Sequence, residues 1–180
     1  DPKKEIVRLS AQVIADQISG MNTKNVVITG GEPLMQQDGL SELTELLKSR
    51  KHTIEIETNG TYVPNSIIEK NVDRWNVSPK LANSEQANSL RIVKDSLEWF
   101  STQPGAVFKF VVESPGDLDE VTDIVDSVGM PSERVILMPK GTTKTEIESR
   151  TPWIVDQCID RGYRFSSRLH VLIWGDERGK

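Results

Sequence analysis

Cysteine is nearly absent: Cys158 is the one thiol in 180 residues. That excludes an internal disulfide framework and points to a reducing, cytoplasmic compartment. A basic excess is also missing. Lys and Arg number 22 against 27 Asp and Glu, a net charge of −5, which argues against a nucleic-acid-binding surface. A small anionic substrate could still meet a local basic pocket. No apolar run approaches the roughly 18 residues of a membrane span, and no signal-peptide pattern is present. Gly-x-Gly-x-x-Gly and P-loop signatures are lacking, which counts against an ordinary nucleotide-binding domain. No linker, repeat or low-complexity tract divides the chain, so residues 1–180 read as a single domain. With 36% hydrophobic and 27% charged residues, the composition is that of a globular protein able to bury a core.

What is present is a regular alternation. Apolar spacing predicts helices over 3–19, 38–50, 65–71, 86–101, 116–128 and 144–161. Between and after them lie strands at 25–29, 53–58, 73–78, 107–113, 134–138 and 168–173. Ser114 and Pro115 read as an N-cap and first helical position, and Gly20 and Gly129 as helix stops. Strand–helix alternation implies parallel βαβ units. Doubly wound sheets and barrels both fit six strands. The residues at the strand ends favour an incomplete parallel β/α barrel, in which ligand groups gather at the C-terminal ends.

The strand ends read Thr29-Gly30-Gly31-Glu32, Glu57-Thr58-Asn59-Gly60, Ser78-Pro79-Lys80, Met138-Pro139-Lys140-Gly141 and Trp174-Gly175. Paired glycines let backbone approach a ligand closely. Glu32 adds a carboxylate and Pro33 stiffens the exit. Backbone polar groups beside one carboxylate suit an ammonium-bearing ligand such as the methionyl end of S-adenosylmethionine. On the strands, Glu55 and Glu57 alternate with Ile54 and Ile56, and Lys109 with Phe108 and Phe110. Glu55 reads as solvent-facing or paired. His170, between Leu169 and Val171, reads either as a satisfied core histidine or as a group for recognising a heterocycle.

Val26-Val27-Ile28-Thr29-Gly30-Gly31-Glu32-Pro33-Leu34-Met35-Gln36, Ile56-Glu57-Thr58-Asn59-Gly60-Thr61, Asn76-Val77-Ser78-Pro79-Lys80 and Arg168-Leu169-His170-Val171-Leu172-Ile173-Trp174-Gly175 together resemble the 7-carboxy-7-deazaguanine synthase family, QueE. The four blocks stand in the family's order and span residues 26–175. Gly-Gly-Glu-Pro is widespread among radical S-adenosylmethionine (SAM) enzymes, and the other blocks narrow the resemblance. It implies a radical SAM partial barrel acting as a carbon–nitrogen lyase of queuosine and 7-deazapurine biosynthesis. 6-Carboxy-5,6,7,8-tetrahydropterin would be rearranged to 7-carboxy-7-deazaguanine with loss of ammonia. A [4Fe–4S] cluster, catalytically used SAM, Mg²⁺, an electron donor such as flavodoxin and a homodimer are implied with it.

The resemblance also implies roles. Gly30, Gly31 and Glu32 would hold the SAM amino group. Thr58 and Asn59 would close a neighbouring part of the pocket. Ser78, Pro79 and Lys80 would line the SAM carboxylate or ribose, and Met138, Pro139, Lys140 and Gly141 the adenine. Thr29 and His170 would contact the pterin.

The family's cluster is held by three cysteines after its first strand, and thiolates are what such a cluster needs. Cys158 lies mid-helix and reads as a small buried hydrophobe. The resemblance therefore implies the family sequence without its first strand, with the cluster cysteines and the Mg²⁺-binding Thr expected upstream of Asp1. No catalytic residue or metal ligand is assigned in these 180 residues, and this chain alone is expected neither to assemble a cluster nor to turn over. A glycyl-radical activase shares Gly-Gly-Glu-Pro but not the later blocks, and a non-catalytic binding protein could retain the fold.

Overall fold

The structure, a computed structural model, describes residues 7–175 and 177, without the side chain of Asn88. In chain order the described elements begin with α1 (Ala11–Ser19), β1 (Asn25–Ile28), α2 (Gln37–Ser49), β2 (Thr53–Thr58), α3 (Ser66–Asn71) and β3 (Arg74–Val77). There follow α4 (Asn88–Arg91), α5 (Lys94–Thr102), β4 (Ala106–Val112), α6 (Pro115–Val128), β5 (Val135–Pro139), α7 (Lys144–Arg161), β6 (Arg164–Phe165) and α8 (Leu169–Trp174). The strands form one sheet in the order β1-β2-β3-β4-β5-β6. Doubly wound folds reverse their strand order at a switch point. Sequential order without reversal is the barrel pattern, so the incomplete β/α barrel expected from the strand ends is what the chain forms.

By its contacts the chain divides into two compact units, residues 1–57 with 64–75 and residues 58–63 with 76–180. In the first unit β1 pairs in parallel with β2, Val26 opposite Ile54 and Ile28 opposite Ile56. Ala11, Ala15, Leu43, Leu47 and Ile54 form its core. Ser10 caps α1, its side chain accepting from the Val13 N–H. The helix therefore begins at Ala11, later than the 3–19 span expected. Residues 7–10 are exposed coil. Asp1 and the residues after it up to Ile6 lie outside the described residues. The start of the expected helix falls there, and the cluster cysteines and Mg²⁺-binding Thr expected upstream of Asp1 fall outside them too. Gly20 does end the helix, but at φ −75° rather than in the left-handed region. Asp73 bonds Lys48 Nζ at 2.6 Å and accepts from the Ile54 N–H at 2.7 Å. Burial pushes the Asp73 carboxyl up, while these two bonds and the nearby cations outweigh it, so the net shift is downward.

In the second unit β4 pairs in parallel with β5, Phe108 opposite Val135 and Phe110 opposite Leu137, and β5 pairs with β6. Phe100, Phe108, Phe110, Leu97, Leu137 and Ile147 are almost wholly buried. β4 alternates strictly, so Val107, Lys109 and Val111 share the more open face. Ser114 caps α6 in a reciprocal capping box with Asp117, and Gly129 closes it in the left-handed conformation. Thr143, Glu146 and Gly162 do the same for α7.

Two sequence expectations fail here. The single helix over 86–101 is two helices, α4 and α5, with Val93 extended at φ −112°, ψ 98°. The β-branched pair Ile92-Val93 is a poor helix interior, and Arg91 turns away to hold the loop before it. The strand over 168–173 is the helix α8. The last strand is instead the two-residue β6, after which the Ser166 N–H still bonds the Leu137 carbonyl. Short apolar runs do not separate strand from helix by periodicity, and of this run only Val171 is buried.

Candidate functional site

In the first unit, the apolar run Val26–Ile28 ends at an exposed Thr29, whose hydroxyl donates to Glu57 Oε2 at 3.1 Å. Gly30 and Gly31 follow with φ +98° and +55°, and a Cβ at either would meet nothing within 4 Å. Here glycine is required by conformation and leaves open space beside the backbone. Glu32 is buried and extended; its Oε1 accepts from the Leu34 N–H at 3.1 Å, which starts the 3₁₀ turn Pro33–Gln36. Leu34 anchors that turn at 1% exposure. A cavity of about 220 Å³ opens beside this turn, lined by Ile14, Ile28 and Leu43 and also by Thr29, Gly30 and Gln36.

The remaining strand ends lie in the second unit. Thr58 Oγ1 accepts from the Gly60 N–H at 3.1 Å, and Asn59 Oδ1 accepts from the Thr61 N–H and hydroxyl at 2.9 and 2.6 Å. Both side chains thus build the turn itself. Ser78 donates its hydroxyl to the Lys109 carbonyl at 3.1 Å, Pro79 is buried and Lys80 points to solvent. Met138 is half-buried, Pro139 and Gly141 are buried, and Lys140 Nζ donates to Glu113 Oε1 at 2.9 Å and to the Asn83 carbonyl at 3.0 Å. His170 is exposed on α8, so its expected place on a strand is corrected to a helix. Within this unit the Lys140 ammonium lies within reach of the loop after Lys80, which brings the Ser-Pro-Lys and Met-Pro-Lys-Gly turns together.

Residues that the sequence reading did not single out hold these turns. Arg91 donates to the Lys80 carbonyl at 3.0 Å, Arg150 to the Lys140 carbonyl at 2.5 Å and Arg168 to the Gly141 carbonyl at 2.8 Å. An arginine in a polar stretch carries no local signal of burial. A motif-based reading had only Arg168, through the Arg-Leu-His block, within its view.

Parallel strands in sequence order, with glycine and proline–lysine turns at their C-terminal ends, define a class of protein. Residues 2–149 match the Radical SAM superfamily, and the chain is a radical SAM protein. The 7-carboxy-7-deazaguanine synthase of Pyrobaculum aerophilum is 35% identical over 170 residues, covering 94% of this chain and 73% of that protein. The protein of that name from Halobacterium salinarum is 32% identical over 185 residues, covering 91% and 70%. The crystal structure of QueE from Escherichia coli superposes with a TM-score of 0.67 at 26% identity, covering 89% of this chain and 64% of that one. The chain belongs to the 7-carboxy-7-deazaguanine synthase family.

Membership implies SAM and a [4Fe–4S] cluster. The SAM requirement fits the residues present: the open, glycine-lined strand end beside the Glu32 carboxylate offers backbone groups to an amino acid moiety. The cluster does not fit them. Cys158 is buried, burial pushes its thiol up, and Sγ donates to the Arg164 carbonyl at 3.3 Å. No group of three His, Cys, Asp or Glu among the described residues could hold a metal. A single buried thiol does not supply the set of thiolates that such a cluster needs. No described helix is long and apolar enough to cross a membrane.

Proposed function

We propose that this chain contributes to 7-carboxy-7-deazaguanine synthase activity, the lyase reaction that converts 6-carboxy-5,6,7,8-tetrahydropterin to 7-carboxy-7-deazaguanine with loss of ammonia. The observation that carries the reading is the 35% identity across 94% of the chain. Bound SAM supplies radical chemistry in this superfamily, and the protein's part is to bind, orient and shield. Gly30, Gly31 and Glu32 hold the amino end of SAM. The backbones at Ser78–Lys80 and Met138–Gly141 take its carboxylate, ribose and adenine, and Thr58 and Asn59 shape the turn beside them. Thr29 and His170 face the pterin.

By the same family reading, the protein depends on Mg²⁺, a flavodoxin-type protein donates the electron, and the protein acts as a cytoplasmic homodimer. Calorimetric titration of the chain with SAM and then with 6-carboxytetrahydropterin is the test. Saturable binding of both is expected, with no product from this chain alone. Failure to bind SAM at all would refute the assignment.

A further inference from the structure

The two proline–lysine turns of the second unit are gripped in the same way. At Pro79–Lys80 the Arg91 guanidinium holds the Lys80 carbonyl at 3.0 Å and the Gln86 carbonyl at 3.2 Å, and it pairs with Glu120. The other Glu120 oxygen accepts from the Ala82 N–H at 2.8 Å. At Pro139–Lys140 the Arg150 guanidinium holds the Lys140 carbonyl at 2.5 Å, with Glu113 3.9 Å from its other arm. Glu113 in turn takes the Lys140 ammonium at 2.9 Å. In both places a guanidinium grips the carbonyl of the lysine, and a glutamate faces the guanidinium and bonds the same loop a second time. Asn83 ties the two together: its carbonyl accepts from Lys140 Nζ, and its amide donates to the Val111 carbonyl at 2.9 Å.

Burying an arginine costs desolvation, and an ion pair seldom recovers that cost as net stability. Arg91 is nonetheless only 7% exposed. Its planar, forked donors hold three acceptors in one rigid geometry, whereas a lysine offers its donors from a single point on a flexible stem. This is a device for setting backbone position.

We propose that Arg91–Glu120 and Arg150–Glu113 are positioning pairs. They hold the Lys80 and Lys140 turns at the place where the nucleoside of SAM docks, and Arg168, on the Gly141 carbonyl, is a second hold on the Lys140 turn. Lys140 belongs to the brace, so this turn meets SAM through its backbone and not through its ammonium. The inference rests on the SAM-binding reading above.

The test uses the full chain and the variants Arg150→Lys, Glu113→Gln and Arg91→Lys. SAM affinity is read by calorimetry, the Ala82 and Lys140 amides by hydrogen exchange, and stability by Tm. Asp73→Asn, which removes an ion pair in the first unit, is the control. The brace variants should weaken SAM binding about tenfold, since small misplacements are costly to a positioned ligand, and should speed exchange at the braced amide. The control should lower Tm comparably and leave affinity unchanged. If Arg91→Lys does not fold, Glu120→Gln probes the same turn. Faster exchange with unchanged affinity overturns the proposal, as does an affinity that follows Tm through the control. If the parent chain binds no SAM, the functional reading fails on its own. Bracing then stands or falls by whether exchange at Ala82 and Lys140 responds.

Discussion

Gly31 and Gly60 look interchangeable in the sequence, each in a turn that follows a strand, yet their surroundings differ. Gly31 has φ +55° and a Cβ there would meet nothing within 4 Å; Gly60 has φ +80° and a Cβ would lie 2.8 Å from both Leu97 Cδ2 and Val77 Cγ1. Gly60 is small because the second unit's core closes over it. Gly31 is small because its backbone must bend and stay bare. Gly141 sides with Gly60, since a Cβ there would approach Glu146 Cβ to 2.9 Å. The lesson is that a motif glycine can serve packing or ligand access, and only the neighbours tell which.

Substitution separates the two most sharply. Gly60→Ala combines overpacking with a left-handed backbone, and it should cost about 3 kcal/mol in urea unfolding. Gly31→Ala has only the backbone to contend with and should cost about 1 kcal/mol, while its SAM affinity falls. Equal losses would erase the distinction.

The converse case is Lys51, a non-glycine residue at φ +64° after α2, exposed, with its N–H on the Lys48 carbonyl. Lys51→Gly should therefore raise stability by about 1 kcal/mol, measured as a higher urea midpoint. No gain would mean that the left-handed conformation is not strained there.

The smallest effect concerns the turn after Gly141, where a carboxylate stands in for packing. Glu146 accepts from the Thr142 N–H, from the Thr143 hydroxyl and from the Thr143 N–H, and these bonds lower its pKa. A carboxyl depressed in the folded state contributes stability that is present above its unfolded value, about 4.3. That contribution is lost as pH falls through the lower folded value. The lead of the parent chain over Glu146→Gln should thus shrink as pH drops below about 4, followed by Tm across an acid series. An unchanged lead would show that the cap carries no charge-dependent part.

Much of this is legible in the sequence because it is local. Ser114, Asp117 and Gly129 bound α6 through caps written within one turn of chain, and Thr143, Glu146 and Gly162 bound α7 likewise. Cap chemistry depends on neighbours three or four residues away, which a sequence displays. His170 is misplaced by sequence reasoning because the apolar residues around it satisfy strand and helix periods alike. The split between α4 and α5 escapes it because Arg91 answers to Lys80 and Glu120, 11 and 29 residues distant.

By itself the sequence determined the alternation of elements, the caps, the polar strand ends and the shortage of thiols, all of which follow from residue type and short-range spacing. Tertiary structure alone decided the sequential strand order, which glycine is jammed and which is open, and which arginines grip the lysine turns. Those outcomes depend on atoms brought together from distant parts of the chain, where sterics and desolvation act on three-dimensional neighbours.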